Sequence, residues 1–303
     1  MKILVSGAFG HIGSFIINDL IKIKKVKKIY LVDNLSNQRF NVLFKIKNKK
    51  INFLFGDLTN NNFCKKLPKT NIVIHLASIT DAEKSFENRK KITKNNLGCF
   101  KNILNYCKRN SSRLVHISST SIYGPKKGLV KEDDTKPVPQ SPYAEIKLIE
   151  ENLLKKQKLI KYITLRFGTI SGFSDGMRFH TAVNKFCFNS VMGITIPVWG
   201  KALNTYRPYL SLTDAKKVFQ YIILKNYFPN DIFNILSENK TVSEILALIK
   251  KNRFKVKIKF VNSRILNQDS YKICKKKIEN LGIKLNSKIS KDIKKTLLML
   301  KIN

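Results

Sequence analysis

The sequence predicts an α/β protein: a doubly wound parallel sheet with a smaller C-terminal α/β lobe. Three observations predict it. Short apolar runs alternate with stretches of helical period through the first half of the chain, and repeated β-α alternation implies a parallel sheet covered on both faces. A Gly7-x-x-Gly10-x-x-Gly13 motif follows the first apolar run and opens a helix-period stretch, the context in which such a motif holds a dinucleotide. After Gly168 the alternation gives way to a different pattern. That change divides the chain near residues 1–168 and 169–303, with some later segments expected to return to the main sheet.

The elements follow in order. Lys2–Ser6 is an apolar run suited to a buried strand, and Ile12, Phe15, Ile16, Leu20 and Ile23 then recur at helical spacing. Residues 29–32 read as a second strand closed by Asp33, residues 52–55 as a third followed by Gly56-Asp57-Leu58, and residues 71–75 as a fourth. Residues 83–108 read as a long helix, 114–118 as a fifth strand, 143–156 as a helix and Tyr162–Phe167 as a sixth strand. Beyond Gly168, helices are expected over Ala182–Val191, 213–224, Val242–Lys251 and 287–300, and strands over 195–199, 232–235 and 255–261. Sheets of this kind bind ligands at the carboxyl ends of their strands.

Composition excludes several classes. The hydrophobic share of 43% is ordinary for a soluble globular chain, and no apolar run reaches the roughly 18 residues of a membrane span. Gly7, Gly10, His11, Gly13 and Asp19 interrupt the apolar opening a secretory signal needs, so the expected compartment is the cytoplasm. Five scattered cysteines without a C-x-x-C fit reduced thiols. His11, His75, His116 and His180 show no metal-ligand spacing, and no metal is expected. The net charge of +38 raises the reading of a nucleic-acid or membrane-surface binder. Lysine supplies 49 of the 58 basic residues, however, whereas nucleic-acid readers lean on arginine for bidentate and stacking contacts. Lys, Ile and Asn are also the residues that an A+T-rich genome favours. Compositional drift is the favoured reading, with no specific nucleic-acid or membrane partner.

In a Rossmann-type motif Gly7 permits the tight turn, Gly10 the approach of backbone to a pyrophosphate, and Gly13 close helix–strand packing. The helix N-terminus adds free N–H groups and a positive dipole end. Asp33 stands twenty residues after Gly13, where a carboxylate accepts both ribose hydroxyls and repels a 2′-phosphate, favouring NAD over NADP. Asp57 can reach the adenine amino group or cap a helix. Farther on, Tyr143 and Lys147 stand four residues apart. A phenol of pKa ~10 needs about 4 kcal/mol to become a base near neutrality, and one cation ~4 Å away at an effective dielectric of ~20 supplies about that much. Lys147, one turn on, is placed to lower the phenol in this way. Ionised Tyr143 can then take a hydroxyl proton while hydride leaves the same carbon. Ser118-Ser119-Thr120-Ser121 closes the fifth strand, and a hydroxyl there can bridge Tyr143 and the substrate oxygen.

With these motifs the chain resembles the extended short-chain dehydrogenase/reductases, and more narrowly the NAD-dependent nucleotide-sugar epimerase/dehydratase group. The likeness spans nearly the whole chain. It rests on Gly7-Ala8-Phe9-Gly10-His11-Ile12-Gly13, Val32-Asp33-Asn34-Leu35-Ser36-Asn37, Gly56-Asp57-Leu58, His75-Leu76-Ala77-Ser78 and Asn95-Asn96-Leu97-Gly98. It continues through Ser118–Gly124, Pro142–Lys147, Leu165–Thr169 and Arg207–Ala215. The resemblance implies Ser119, Tyr143 and Lys147 as catalytic residues. It implies that NAD lies against Gly7, Phe9, Gly10, His11, Ile12, Gly13, Asp33, Asn34, Asn37, Asp57, Leu58, Leu76, Ala77, Ser78, Asn95, Ser118, Tyr143 and Lys147. Thr169, Arg178, His180, Asn184 and Arg207 are the residues expected to touch substrate, with Arg207 on the diphosphate; packing or capping is the alternative for Arg178, His180 and Asn184.

The implied activity is epimerisation of a nucleotide-diphosphate sugar, as in UDP-glucose/UDP-galactose 4-epimerases, by transient oxidation to a keto sugar and re-reduction. A keto-sugar reductase or dehydrogenase is the alternative, with a non-catalytic RNA-binding or dinucleotide-sensing protein behind it. Thr120 and Ser121 replace the Asp-Glu pair of the dehydratases, Thr169 replaces a frequent Asn, and a Lys common near Thr80 is absent. The family also implies a homodimer built as a four-helix bundle from helices 83–108 and 143–156, to which Ile103, Leu104, Ile146, Ile149 and Leu153 contribute unless they face the core.

Overall fold

The computed structural model describes every residue except 83, 135, 262–270, 302 and 303, and the side chain of residue 201 is likewise not described. The first half runs β1 (Lys2–Ser6), α1 (His11–Lys22), β2 (Lys28–Asp33), α2 (Asn41–Lys45), β3 (Ile51–Phe55), α3 (Asn61–Lys65), β4 (Ile72–His75), α4 (Arg89–Asn110) and β5 (Arg113–Ser119). Next come β6 (Gly128–Val130), α5 (Pro142–Lys155), β7 (Tyr162–Phe167), β8 (Thr169–Ser171), α6 (Ala182–Val191), β9 (Ile196–Trp199) and β10 (Tyr206–Ser211). The chain then forms α7 (Leu212–Lys225), β11 (Asp231–Ile235), β12 (Glu238–Thr241), α8 (Val242–Lys251), β13 (Ile258–Val261), β14 (Tyr271–Ile273), α9 (Lys276–Glu279) and α10 (Ile289–Leu300).

Seven parallel strands form the central sheet in the order β11-β7-β5-β4-β1-β2-β3. This is the Rossmann-type doubly wound sheet. Every residue of β4 and β7 is buried, as a parallel strand covered on both faces requires. Ile3, Val5, Ile16, Leu20 and Val218 build the core on the face that α1 and α7 cover. Leu4, Phe100, Ile103, Leu114 and Leu154 build the core beneath α4 and α5. The chain winds outward from β1 to β3 and then crosses back to β4. The crevice between β1 and β4 is therefore the topological switch point, where such sheets take their ligand.

The second half contributes β11 to the main sheet, paired in parallel with β7. The remainder packs β8, β10 and β12 as a small sheet, with α6, α8 and α10 around Val183, Tyr209, Ile245 and Ile293. Two corrections concern boundaries. The long helix begins at Arg89, because Asp81 Oδ1 caps a separate turn at Lys84 N (3.1 Å) just before it; the expected start at Glu83 lies outside the described residues. The strand expected from 255 begins at Ile258.

Asp292 of α10 ties the small sheet to the helix layer. Its Oδ2 accepts from Ser171 Oγ at 2.6 Å and its Oδ1 from Ser211 Oγ at 3.1 Å. Burial pushes this carboxyl up from 3.8 to about 6. The folded state thus holds the proton more tightly than the unfolded chain. The associated stability is present below about pH 4 and is lost as pH rises through about 6. Asp292→Asn is therefore expected to raise the melting temperature at pH 8 and to leave it unchanged at pH 4, as thermal melts at the two pH values would show.

Candidate active site

The strands deliver their carboxyl ends to one rim of the sheet, and with them Gly7, Asp33, Asp57, Leu76, Ser119 and Thr169. Gly7 adopts a left-handed φ of 62°, and Gly10 sits at the N-cap of α1. A Cβ on Gly13 would stand 2.3 Å from Ala8 O, so only glycine lets α1 lie this close to the loop. The Asp33 carboxylate accepts from Phe9 N and Leu35 N, both at 2.9 Å, which fixes it beside the glycine loop. Asp57 accepts from Thr59 N and Oγ1 and from Asn34 Nδ2. Burial opposes its ionisation, but these bonds hold its carboxyl below the usual range. Asn37 is exposed farther along the same loop, and Ile12 is half-buried on α1. Across the crevice, Leu76 N and Ala77 N reach Ser6 Oγ at 3.1 and 3.3 Å, and Ser78 Oγ donates to Ile79 O. Asn95 Nδ2 donates to Asn96 Oδ1, and Asn96 clamps Ile79 through both its N–H and its C=O.

Ser141 starts α5, its Oγ accepting from Ala144 N at 3.2 Å with Pro142 at the first position. This start puts Tyr143 in the first turn, opposite the end of β5. Ser119 Oγ accepts from Ser121 N and Ser121 Oγ at 3.2 and 2.9 Å and favours the ionised form of Tyr143. Tyr143 is half-buried along the cleft. Lys147 lowers the phenol as expected, but the net shift is upward. Burial raises the Tyr143 pKa by more than Lys147 and Arg178 lower it. Lys147 Nζ stands 5.9 Å from the Tyr143 ring centre and is held at 2.8 Å by Glu150 Oε2, whose charge opposes its effect.

Arg178 reaches the same place from the second half. Its Nη1 donates to Thr80 Oγ1, so a cation occupies the region where related chains tend to carry a lysine. Burial pulls this guanidinium down to about 10, while Tyr143 and Asp81 favour its charge. Asn184 is fully buried and donates from Nδ2 to Arg178 O at 3.0 Å, bracing the Arg178 backbone. His180 is exposed at the lip, and local burial together with the Arg178 charge pushes its imidazole down to about 4. Arg207 lies 5.5 Å over the Tyr271 ring and donates from Nη1 to Tyr206 O. Thr169 is half-buried at the start of β8.

Three residues expected at the cofactor have their side chains engaged elsewhere. Ser118 is buried and donates to Glu151 Oε1 at 2.6 Å, because successive residues of β5 point to opposite faces. The side chain of Leu58 belongs to the core beneath α4. His11 is buried with Nε2 at 2.7 Å from Gly172 O, and burial drops its imidazole to about 3, so it joins the two halves of the chain as a neutral ring.

Several contributors carried no local signal. Residues 172–176 lie over the glycine loop: Ser174 Oγ donates to His11 O and Gly176 N to Ser14 Oγ, both at 2.9 Å. A Cβ on Gly176 would stand 2.2 Å from Phe9 O. Asp175 pairs with Lys45 of α2. Arg39, half-buried within charge range of Asp33, was also missed, as were Thr80, Glu150 and His116.

The residues present fit NAD. A side-chain-free turn at Gly7 and Gly10 abuts a helix N-terminus, and a fixed carboxylate stands at the end of β2. A dinucleotide crevice ending on a serine, a tyrosine and a lysine defines an extended short-chain dehydrogenase/reductase. The model of the NAD dependent epimerase/dehydratase family matches residues 3–235. The chain belongs to this family of NAD-dependent enzymes. It is 28% identical over 263 residues to an uncharacterized UDP-glucose epimerase of Bacillus subtilis, covering 82% of this chain and 81% of that one. It is 26% identical over 318 residues to a trifunctional UDP-glucose 4,6-dehydratase/epimerase/reductase of Arabidopsis thaliana, of which it spans 46%. Among solved structures, the UDP-glucuronic acid 4-epimerase of Bacillus cereus, in complex with UDP-glucuronic acid and NAD, superposes with a TM-score of 0.89. That pair is 22% identical, with 99% of each chain covered.

Among the described residues no cluster of His, Cys, Asp and Glu is placed to hold a metal ion, and no helix is long and apolar enough to cross a membrane.

Proposed function

We propose that the protein is an NAD-dependent epimerase of a nucleotide-diphosphate sugar, acting by transient oxidation of a carbinol to a ketone and its re-reduction. The observation that carries this reading is the placement of Tyr143 in the first turn of α5 beside Ser119 at the end of β5, within charge range of the half-buried Arg178. The names of its relatives support the substrate class. Thr120 and Ser121 lie where the dehydratases tend to carry Asp-Glu. Thr120 Oγ1 is turned to Phe167 O and Ser121 Oγ to Ser119, so neither offers a carboxyl for dehydration.

Gly7, Gly10, Gly13, Asp33 and Asp57 would hold NAD, which when bound supplies a reversible hydride acceptor. Tyr143 takes the proton of the sugar hydroxyl as the carbinol becomes a ketone, and returns it to the opposite epimer. Ser119 Oγ holds the reacting oxygen, Arg178 stands against the sugar, and Arg207 meets the diphosphate. Asp33→Asn is expected to weaken NAD retention by roughly tenfold, the loss of one charge-assisted hydrogen bond. Nucleotide released from the denatured variant and quantified against wild type measures it.

The homodimer remains the family's expectation. Ile103, Leu104 and Ile146 are committed to the core, so of the five apolar candidates Ile149, 43% exposed, and the half-buried Leu153 are left to serve an interface. The setting proposed is cytoplasmic, in keeping with five free, buried cysteines.

Incubation of purified protein with UDP-glucose, UDP-glucuronic acid and their epimers tests the activity. Interconversion without consumption of added cofactor is expected. Stoichiometric oxidation of NAD(P)H would assign a reductase instead, and inactivity on every sugar nucleotide would remove the proposal.

A further inference from the structure

Lys147 does not stand alone behind the tyrosine. Its Nζ donates to Glu150 Oε2 at 2.8 Å, and the same oxygen receives His116 Nε2 at 2.9 Å. All three side chains are buried: Glu150 and His116 are 0% exposed and Lys147 is 3% exposed. An i, i+3 glutamate on α5 thus reaches back under the catalytic lysine, and a histidine from β5 holds the glutamate from beneath. The Nδ1 of His116 faces Thr164 Oγ1 of β7 at 3.3 Å, and the Phe100 ring of α4 lies 5.1 Å from the imidazole. From β4, His75 lies within charge range of Glu150 and Lys147, its own Nδ1 at 2.7 Å from Ser6 Oγ. Glu151, next in sequence, is taken up by Arg166 and Ser118 and is not part of this pair.

The consequence is electrostatic. A lysine facing a phenol favours the phenolate, but a carboxylate locked onto that lysine removes much of its field. We propose that Glu150 is a positioning residue that holds the Lys147 ammonium and, through its own charge, keeps Tyr143 a weaker acid than Lys147 alone would make it. Burial works against ionisation of Glu150, yet Lys147 and His116 keep its carboxyl down at about 2, so the charge persists across the working pH range. Lys147 still lowers the phenol more than Arg178 does, and Glu150 offsets part of that lowering. This inference rests on the epimerase reading for one of its two readouts and is independent of it in the other.

The experiment compares the wild type, Glu150→Gln and Glu150→Asp. Glutamine keeps the shape and removes the charge. The acid limb of its pH–rate profile is expected to fall by about one pH unit relative to its own plateau, since one unit charge at this range is worth that much. Aspartate keeps the charge on a shorter stem and is expected to retain the wild-type limb with kcat reduced a few-fold. The second readout needs no substrate. Ultraviolet titration of tyrosinate, taken as the difference between each protein and its Tyr143→Phe counterpart, should place Tyr143 about one unit lower in Glu150→Gln than in wild type.

A folded Glu150→Gln with both readouts unmoved overturns the proposal, as does a limb displaced by a unit in Glu150→Asp. If Glu150→Gln does not fold, the aspartate arm decides. Wild type inactive on every nucleotide sugar would sink the epimerase reading alone, and the titration would still judge Glu150.

Discussion

Tyr143→Phe is expected to fold as the wild type does and to lose about 10²–10⁴-fold in turnover, the usual contribution of one positioned acid–base group. The ring keeps its place in the first turn of α5, because Ser141 and Pro142 set that turn. What disappears is the hydroxyl beside Ser119. Circular dichroism and a thermal melt check the fold, and the rate of epimer formation checks the chemistry. A variant within tenfold of wild type would mean that another group carries the proton.

The largest effect on stability is expected at Arg166. Its Nε and Nη2 donate to the two Glu151 oxygens at 3.0 and 2.7 Å, and its Nη1 donates to Tyr123 Oη at 2.7 Å. The guanidinium also lies 4.8 Å over the Tyr123 ring, and Tyr123 Oη donates to Asn234 Oδ1 at 2.8 Å. The network joins β7, α5 and β11 with every member buried. Arg166→Met leaves the Glu151 carboxylate buried and uncompensated, and is expected to cost about 3–5 kcal/mol. Replacing Glu151 by leucine in the same chain should recover much of the loss, because a well-packed apolar pair is often no less stable than a buried ion pair. Urea denaturation of the single and double variants measures both. A single variant within about 1 kcal/mol of wild type would show that Ser118 and the α5 backbone satisfy Glu151 unaided.

The sheet was legible because its signals are local. A buried parallel strand shows as a nearly continuous apolar run, as in Ile3–Val5 and Ile72–Ile74; Tyr162–Phe167 is buried throughout but carries Thr164 and Arg166. The glycine loop and the Tyr143/Lys147 pair are short spacings whose meaning survives without a structure. What stayed hidden is set by contacts between distant parts of the chain. Thr80 and Arg178 are 98 residues apart, Ser14 and Gly176 162 apart, and His116 and Glu150 34 apart. The β6–β14 pair joins strands of three residues each, too short for any periodicity to register. Ser118 misled for a different reason. Its neighbour Ser119 has the same chemistry, and the alternation of side chains along a strand sends one hydroxyl to the cleft and the other to Glu151. The state of the phenol is not legible in the sequence, because the desolvation around Tyr143 and the opposing charge of Glu150 arise only in the fold.

The most direct measurement is turnover of a nucleotide sugar in heavy water with no cofactor added beyond what the protein retains. If Tyr143 moves only the hydroxyl proton while hydride leaves and returns to the same carbon, the epimer carries no solvent deuterium at the inverted centre. Deuterium at that carbon would mean deprotonation at carbon in place of hydride transfer, and the account of this site would be wrong.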